Sequence, residues 1–167
     1  MKIPIQVEPR AGETGAVEYR WDPDTEILSA QVKPRATGEG MSGSVELEGA
    51  DGSWLILDIS DGRINGVEVA VWPQVHLRNG LAIPGTVEDG VVAVPARESE
   101  AGVASREVET AVFAESDADQ RLIHFRLGKP RAMRTVRLAN NLLLDIDSSN
   151  NLAGLWLLNV PSFQARV

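Results

Sequence analysis

Few residue types in this chain could do chemistry. Its 167 residues include two histidines, His76 and His124, and no cysteine. Without cysteine, thiolate nucleophiles, disulfides and thiolate-bound zinc are excluded. His76 falls in a loop-like stretch and His124 in the middle of an alternating strand pattern. A histidine-based triad or a multi-histidine metal site needs more than these two supply. Two acid pairs, Asp22/Asp24 and Asp117/Asp119, offer the residue type that glycoside hydrolysis uses, where one carboxyl must sit in a pKa-raising environment. Both pairs lie in turn sequences, which predicts solvated carboxylates with local backbone roles. Asp145-Ile-Asp147-Ser-Ser149-Asn150 imitates the start of a calcium loop, with oxygen ligands at alternate positions. The closing glutamate of such a loop would fall at Trp156 and its turn glycine at Asn150, so a polar hairpin turn is expected instead. Gly38-Glu-Gly40-Met-Ser-Gly43 lacks the Lys-Ser/Thr pair and the following helix of a phosphate loop, and reads as a hairpin tip. No catalytic residue, cofactor or metal is expected.

Binding chemistry is better represented. Four tryptophans, Trp21, Trp54, Trp72 and Trp156, outnumber the single tyrosine. In a sheet protein such residues are core first and ligand platform second. Trp54 and Trp72 flank the central hairpin of the first half, where the second half has Asn141 and Val160. That face is where a sugar-stacking or peptide-binding surface would have specialised. Arg121, Arg126, Lys129, Arg131, Arg134 and Arg137 form a run with no acidic residue among them. A solvated hairpin face explains such a run, with a phosphate or acidic partner as the alternative. The candidate ligand-binding residues are therefore Trp54, Trp72, Arg126, Arg131 and Arg134. The net charge of −8 disfavours a broad nucleic-acid footprint and suits a basic protein partner.

The elements that must position these residues are strands. Val17-Glu-Tyr19-Arg-Trp21 places its apolar residues on one face, the period of a half-buried strand. Asp22-Pro-Asp24 turns the chain into a return strand over Glu26 to Val32. Trp54 to Ile59 is a nearly continuous apolar run, and Asp61-Gly62 is the chemistry of a tight hairpin leading into Ile64 to Val71. Ile3 to Val7 reads as an edge strand because of Pro4. The best helix candidate, Glu98 to Thr110, is weakened by Gly102, and from Val108 onward it reads better as strand. No signal-peptide pattern opens the sequence, and no apolar run approaches the ~18 residues of a membrane helix. A cytoplasmic protein is expected.

The order of these elements recurs. Asp22-Pro-Asp24-Thr-Glu-Ile27-Leu28 returns loosely as Asp117-Ala-Asp119-Gln-Arg-Leu122-Ile123. Leu55-Ile-Leu-Asp58-Ile59 returns as Leu142-Leu-Leu-Asp145-Ile146, and Val71-Trp72-Pro73-Gln-Val75 as Asn159-Val160-Pro161-Ser-Phe163. The offsets run from 95 positions at Asp22/Asp117 to 87 at Asp58/Asp145, and the drift falls in loops. An internal duplication is expected.

Each copy resembles the short bacterial family known as domain of unknown function 2283. The residues that carry the likeness are Trp21-Asp22, Asp24, Ile27-Leu28, Leu57-Asp58, Asp61-Gly62 and Ile64-Asn-Gly66-Val67-Glu68-Val69, with Asp117, Asp119, Leu122-Ile123, Leu144-Asp145 and Gly154 in the second copy. The resemblance implies an antiparallel β meander and transfers no catalytic residue. The expected architecture is all-β: two repeated antiparallel meanders of about six strands each, residues 1–79 and 90–167 around a linker at 80–89. They would be related by a pseudo-two-fold axis and packed as a sandwich or merged into one barrel. The expected function is a non-enzymatic binding or interaction module for an unknown protein or small ligand, as a monomer or homodimer. An antitoxin-like or regulatory partner of a basic protein or nucleic acid is the alternative, and an uncharacterised hydrolase a further one.

Overall fold

The computed structural model of the protein describes residues 3–33, 42–95 and 103–164. Fifteen strands run through them, and no helix forms among them. The first half supplies β1 (Gln6–Glu8), β2 (Ala16–Trp21), β3 (Leu28–Lys33), β4 (Ser42–Glu48), β5 (Trp54–Ser60) and β6 (Arg63–Val71). Three short strands follow, β7 (Val75–Leu77), β8 (Glu88–Asp89) and β9 (Val91–Ala93). The second half supplies β10 (Val103–Glu109), β11 (Val112–Ser116), β12 (Ile123–Leu127), β13 (Met133–Ala139), β14 (Leu142–Asp147) and β15 (Leu152–Leu157). The chain is all-β, as its period-two patterning requires.

The strands form two sheets. The larger runs β1-β9-β6-β5-β4-β10, with the β2–β3 hairpin attached to β6 through β3. The other runs β7-β11-β12-β15-β14-β13-β8. Three pairings are parallel: β10 on β4, β7 on β11 and β8 on β13. The helix candidate is corrected by the first of these. Residues 96–102 lie outside the described residues, and the part that is described is β10, paired with β4 in unbroken register from Val103↔Ser42 to Glu109↔Glu48. A ready strand edge supplies a full ladder of hydrogen bonds, which outweighs a weak helix propensity. Of the glycine-rich tip, Ser42 and Gly43 open β4, and the remainder lies outside the described residues.

Alternation decides what is buried. Leu55, Leu57 and Ile59 of β5 are buried, as are Ile123, Phe125 and Leu127 of β12 and Leu142, Leu144 and Ile146 of β14. They belong to one continuous hydrophobic core that draws on both sheets. Each such side chain contributes about 1.5–3 kcal/mol. The Asp61-Gly62 hairpin turns with φ values of 54° and 71°, the doubly positive conformation that matches strand twist and that glycine adopts without strain.

The N-terminal segment joins the sheets. The Ile5 N–H donates to Asn150 O at 3.0 Å and the Leu152 N–H to Ile3 O at 2.9 Å, while β1 pairs with β9 in the larger sheet. The single strand expected over Ile3 to Val7 is thus divided, its first residues on one sheet and β1 on the other. Pro4 makes an isolated bridge with Asn151, where a proline without an N–H is tolerated. Arg10 then fixes the far side. Its Nη2 donates to the carbonyls of Gly90, Arg137 and Leu138 at 2.8–2.9 Å, and its Nε lies 3.2 Å from Asp89.

Candidate functional site

Two aspartate turns face a common space. At the end of β2, Asp22 Oδ1 accepts the N–H groups of Asp24 at 2.9 Å and Thr25 at 3.3 Å. The turn closes with Glu26 N–H on Asp22 O at 3.0 Å and Glu26 at φ 60°. Between β11 and β12, Asp117 Oδ1 accepts from Arg121 N at 2.9 Å and Leu122 N at 3.2 Å, and Gln120 sits at φ 57°. Aspartate suits both places because its carboxylate can bond the backbone a few residues on. Two proline-bearing segments complete the surround. After β6, Trp72-Pro73 leads into β7, whose Val75 pairs with Ala114 of β11. After β15, Val160 N–H donates to Arg121 O at 2.9 Å, and Pro161, Ser162 and Phe163 follow.

Between these segments lies a cleft of about 460 Å³, within the usual size of small-molecule sites. Its aromatic wall is ordered. Trp21 and Trp72 stack at 5.7 Å between ring centroids with an interplanar angle of 21°, and Phe163 meets Trp21 edge-on at 5.2 Å. Trp72 also rests on the core ring of Phe125 at 5.9 Å. Both indole N–H groups are anchored, Trp21 Nε1 on Pro161 O at 2.8 Å and Trp72 Nε1 on Glu26 O at 2.9 Å. Polar lining comes from Glu26, Ser116, Asp119, Gln120 and Ser162. Tyr19, two residues before Trp21 on the same face of β2, crosses to the other sheet and donates to Leu158 O at 2.6 Å. Burial holds its phenol above the ordinary tyrosine range.

A second polar cluster lies on the smaller sheet. His124 Nε2 is 2.7 Å from Asp145 Oδ2, Thr135 Oγ1 donates to Asp145 Oδ1 at 2.8 Å, and Trp156 Nε1 donates to the same oxygen at 3.2 Å. Asp145 is 2% exposed, and the His124 and Trp156 rings stack at 4.0 Å. Gly154 makes room for this crossing: a Cβ there would stand 2.5 Å from Phe125 O and 3.0 Å from Asp145 Oδ2. With Nε2 committed to the carboxylate, His124 holds Asp145 in place; no hydroxyl nucleophile is hydrogen-bonded to it among the described residues. The neighbouring Asp147 closes the hairpin instead, accepting from Ser149 N at 2.9 Å and Asn151 N at 3.0 Å and pairing with Arg131 at 3.0 Å. Burial opposes its charge, but the Asn151 and Ser149 N–H groups and the Arg131 guanidinium outweigh it and hold the carboxyl below the usual range.

The candidate residues separate. Trp72 lines the cleft; Trp54, Arg126, Arg131 and Arg134 do not. Trp54 opens β5 between Glu48 of β4 and Val71 of β6. Arg126 lies over the Phe113 ring at 4.6 Å, Arg131 also donates to Leu127 O and Lys129 O, and Arg134 pairs with Glu88 at 3.2 Å. Strand parity puts Arg126 on the His124 face and Arg134 on the opposite one, so they form no common patch. Trp21, Phe163, Glu26 and Asp119 are not among the candidate ligand-binding residues, although the recurring turn and proline motifs that hold them are visible in the sequence. No protein-family model matches the chain, and no curated protein resembles it significantly.

Proposed function

We propose that the chain is a non-enzymatic binding module made of two diverged copies of one β unit, with its ligand in the aromatic cleft. The observation that carries the proposal is the convergence of Trp21, Trp72 and Phe163 on an open space of about 460 Å³. Rigid aromatic faces with a few convergent polar groups are the usual make-up of a ligand site.

The duplication is supported by topology. The path β2-β3-β6-β5-β4 has the same order as β11-β12-β15-β14-β13. Asp58 faces Gly66 across one hairpin as Asp145 faces Gly154 across the other. The segment leading into each unit crosses to the other's sheet: Thr110 N–H donates to Glu48 O, and Asn140 N–H to Gly15 O, both at 2.9 Å. On this basis the turn and proline motifs of both copies meet in the cleft. The resemblance to domain of unknown function 2283 fits such a unit.

The test is titration of 15N-labelled protein with a panel of sugars and small metabolites, following the indole N–H signals of Trp21 and Trp72. A binder should shift these two signals and leave that of Trp54 in place, and Trp72→Ala should weaken it at least tenfold. A ligand whose affinity is the same in Trp21→Ala and Trp72→Ala would put the site elsewhere.

A further inference from the structure

The cleft's chemistry narrows its ligand, and this step rests on the binding reading above. We infer that the cleft recognises a methylated ammonium group, carried by a small metabolite or by a methylated lysine side chain. Among the described residues, its lining includes two carboxylates, Glu26 and Asp119, and no lysine, arginine or histidine. Neither carboxylate has an ion-pair partner among the described residues. Three of the side-chain donors that an anion would need are already committed. Both indole N–H groups are held by backbone carbonyls, and Ser116 Oγ donates to Asp117 O at 3.1 Å. The remaining lining donors are the Gln120 amide and the Ser162 hydroxyl. What the walls offer is therefore ring surface and negative charge.

That combination suits a cation that makes no directional hydrogen bonds. A cation within about 6 Å of an aromatic centroid is attracted by the ring quadrupole, most strongly by tryptophan, and the attraction grows as water is excluded. Trp21 and Phe163, at 65° to one another, supply two walls at different inclinations, as a roughly spherical methylammonium head requires. The carboxylates add long-range attraction, and the net charge of −8 has the same sign. A neutral hydroxylated ligand would gain from the rings and not from this field.

The experiment compares choline with 3,3-dimethylbutanol, its uncharged isostere, and a trimethyllysine peptide with its unmodified lysine counterpart, each by titration against the Trp21 and Trp72 indole signals. Choline or the methylated peptide should bind roughly 3- to 30-fold more tightly than its comparator; which of the two does so identifies the source of the group. Glu26→Gln with Asp119→Asn should reduce that preference and its salt dependence, while circular dichroism confirms that the fold is kept. Equal binding of choline and its isostere, or no response to either cation, overturns the proposal. If a neutral ligand from the wider panel still shifts Trp21 and Trp72, the cleft remains a binding site and only its cation preference falls. If nothing shifts them, the binding reading falls as well.

Discussion

Asp145→Ala offers the sharpest check on how the smaller sheet is held together. The side chain is 2% exposed, and its two oxygens receive three donors: His124 Nε2, Thr135 Oγ1 and Trp156 Nε1. Truncation strands donors in a site closed to solvent, and a buried donor left unsatisfied costs about 1–3 kcal/mol. His124 is the most accessible, with 15% of its side chain exposed, so water can compensate it in part. The expected loss is about 3–5 kcal/mol, within the sum for the stranded Thr135 Oγ1 and Trp156 Nε1 donors at about 1–3 kcal/mol each. That is a large share of the roughly 5–15 kcal/mol typical of a domain, and corresponds to a melting point lower by about 6–20 °C at this chain length. Urea unfolding should show the midpoint falling with the slope unchanged. Thr135→Val, which removes one donor and leaves the carboxylate with two, should cost only about 1–2 kcal/mol. Coupling between Asp145→Ala and Trp156→Phe in a double-mutant cycle should fall within about 0.5–3 kcal/mol. A loss below about 1 kcal/mol for Asp145→Ala, or one no larger than that of Thr135→Val, would refute the claim that three converging donors organise this sheet.

Three further outcomes are expected. Gly154→Ala should destabilise by about 1–3 kcal/mol or more, because its Cβ would stand 2.5 Å from a backbone oxygen that cannot swing aside; Gly62→Ala, where nothing lies within 4 Å but φ is +71°, should cost less and by backbone strain alone. Asp147, held below its ordinary range by the Asn151 and Ser149 N–H groups and by Arg131 against the opposing effect of burial, contributes stability that is present above about pH 4 and lost as pH falls through its folded value. Asp147→Asn should therefore flatten the acid limb of stability, by no more than about 1 kcal/mol given the solvent-exposed Arg131, and an unchanged acid limb would refute it. Tyr19, raised by burial, keeps its proton in the folded state after the unfolded chain has lost it, so stability should decline as pH rises above about 10; Tyr19→Phe should remove that decline in a pH series of urea midpoints.

Local pattern made most strands legible and non-local pairing did not. Val17, Tyr19 and Trp21 alternate as β2 requires, and the Asp61-Gly62 turn and the Asp22 and Asp117 turns formed where their side-chain chemistry called for them. The parallel docking of β10 on β4 had no local signature, since its register depends on a partner far away in the chain. The site followed the same division. Trp54 and Trp72 are identical by type, yet only Trp72 lines the cleft, because position in the sheet and not composition selects between them. Phe163 closes the repeated proline motif, but its place beside Trp21 has no local signature: Trp21 contacts the Pro161 carbonyl across 140 residues. The arginine run is contiguous in sequence, whereas strand parity and local acceptors such as Glu88 and Asp147 disperse its side chains.

The proposed duplication explains why the cleft is open. Its motifs are turn and proline segments that each copy needs in order to fold, so they would be kept whatever the ligand. At corresponding positions, however, the copies carry different side chains: Trp21 against Ser116, Trp72 against Val160, and Phe163 against Val75. Two aromatic sets meeting across a shared axis would fill the space between them. Here Ser116 and Val75 stand in the lining in place of large rings, and with Ile123 they border the remaining volume. An aromatic side chain introduced at Val75 should therefore close the cleft while leaving the half-buried β7 pairing intact. Val75→Phe would then abolish ligand shifts at Trp21 and Trp72 with a loss of stability of no more than about 1–3 kcal/mol. Retained binding in this variant would mean that the ligand does not occupy the space between the copies.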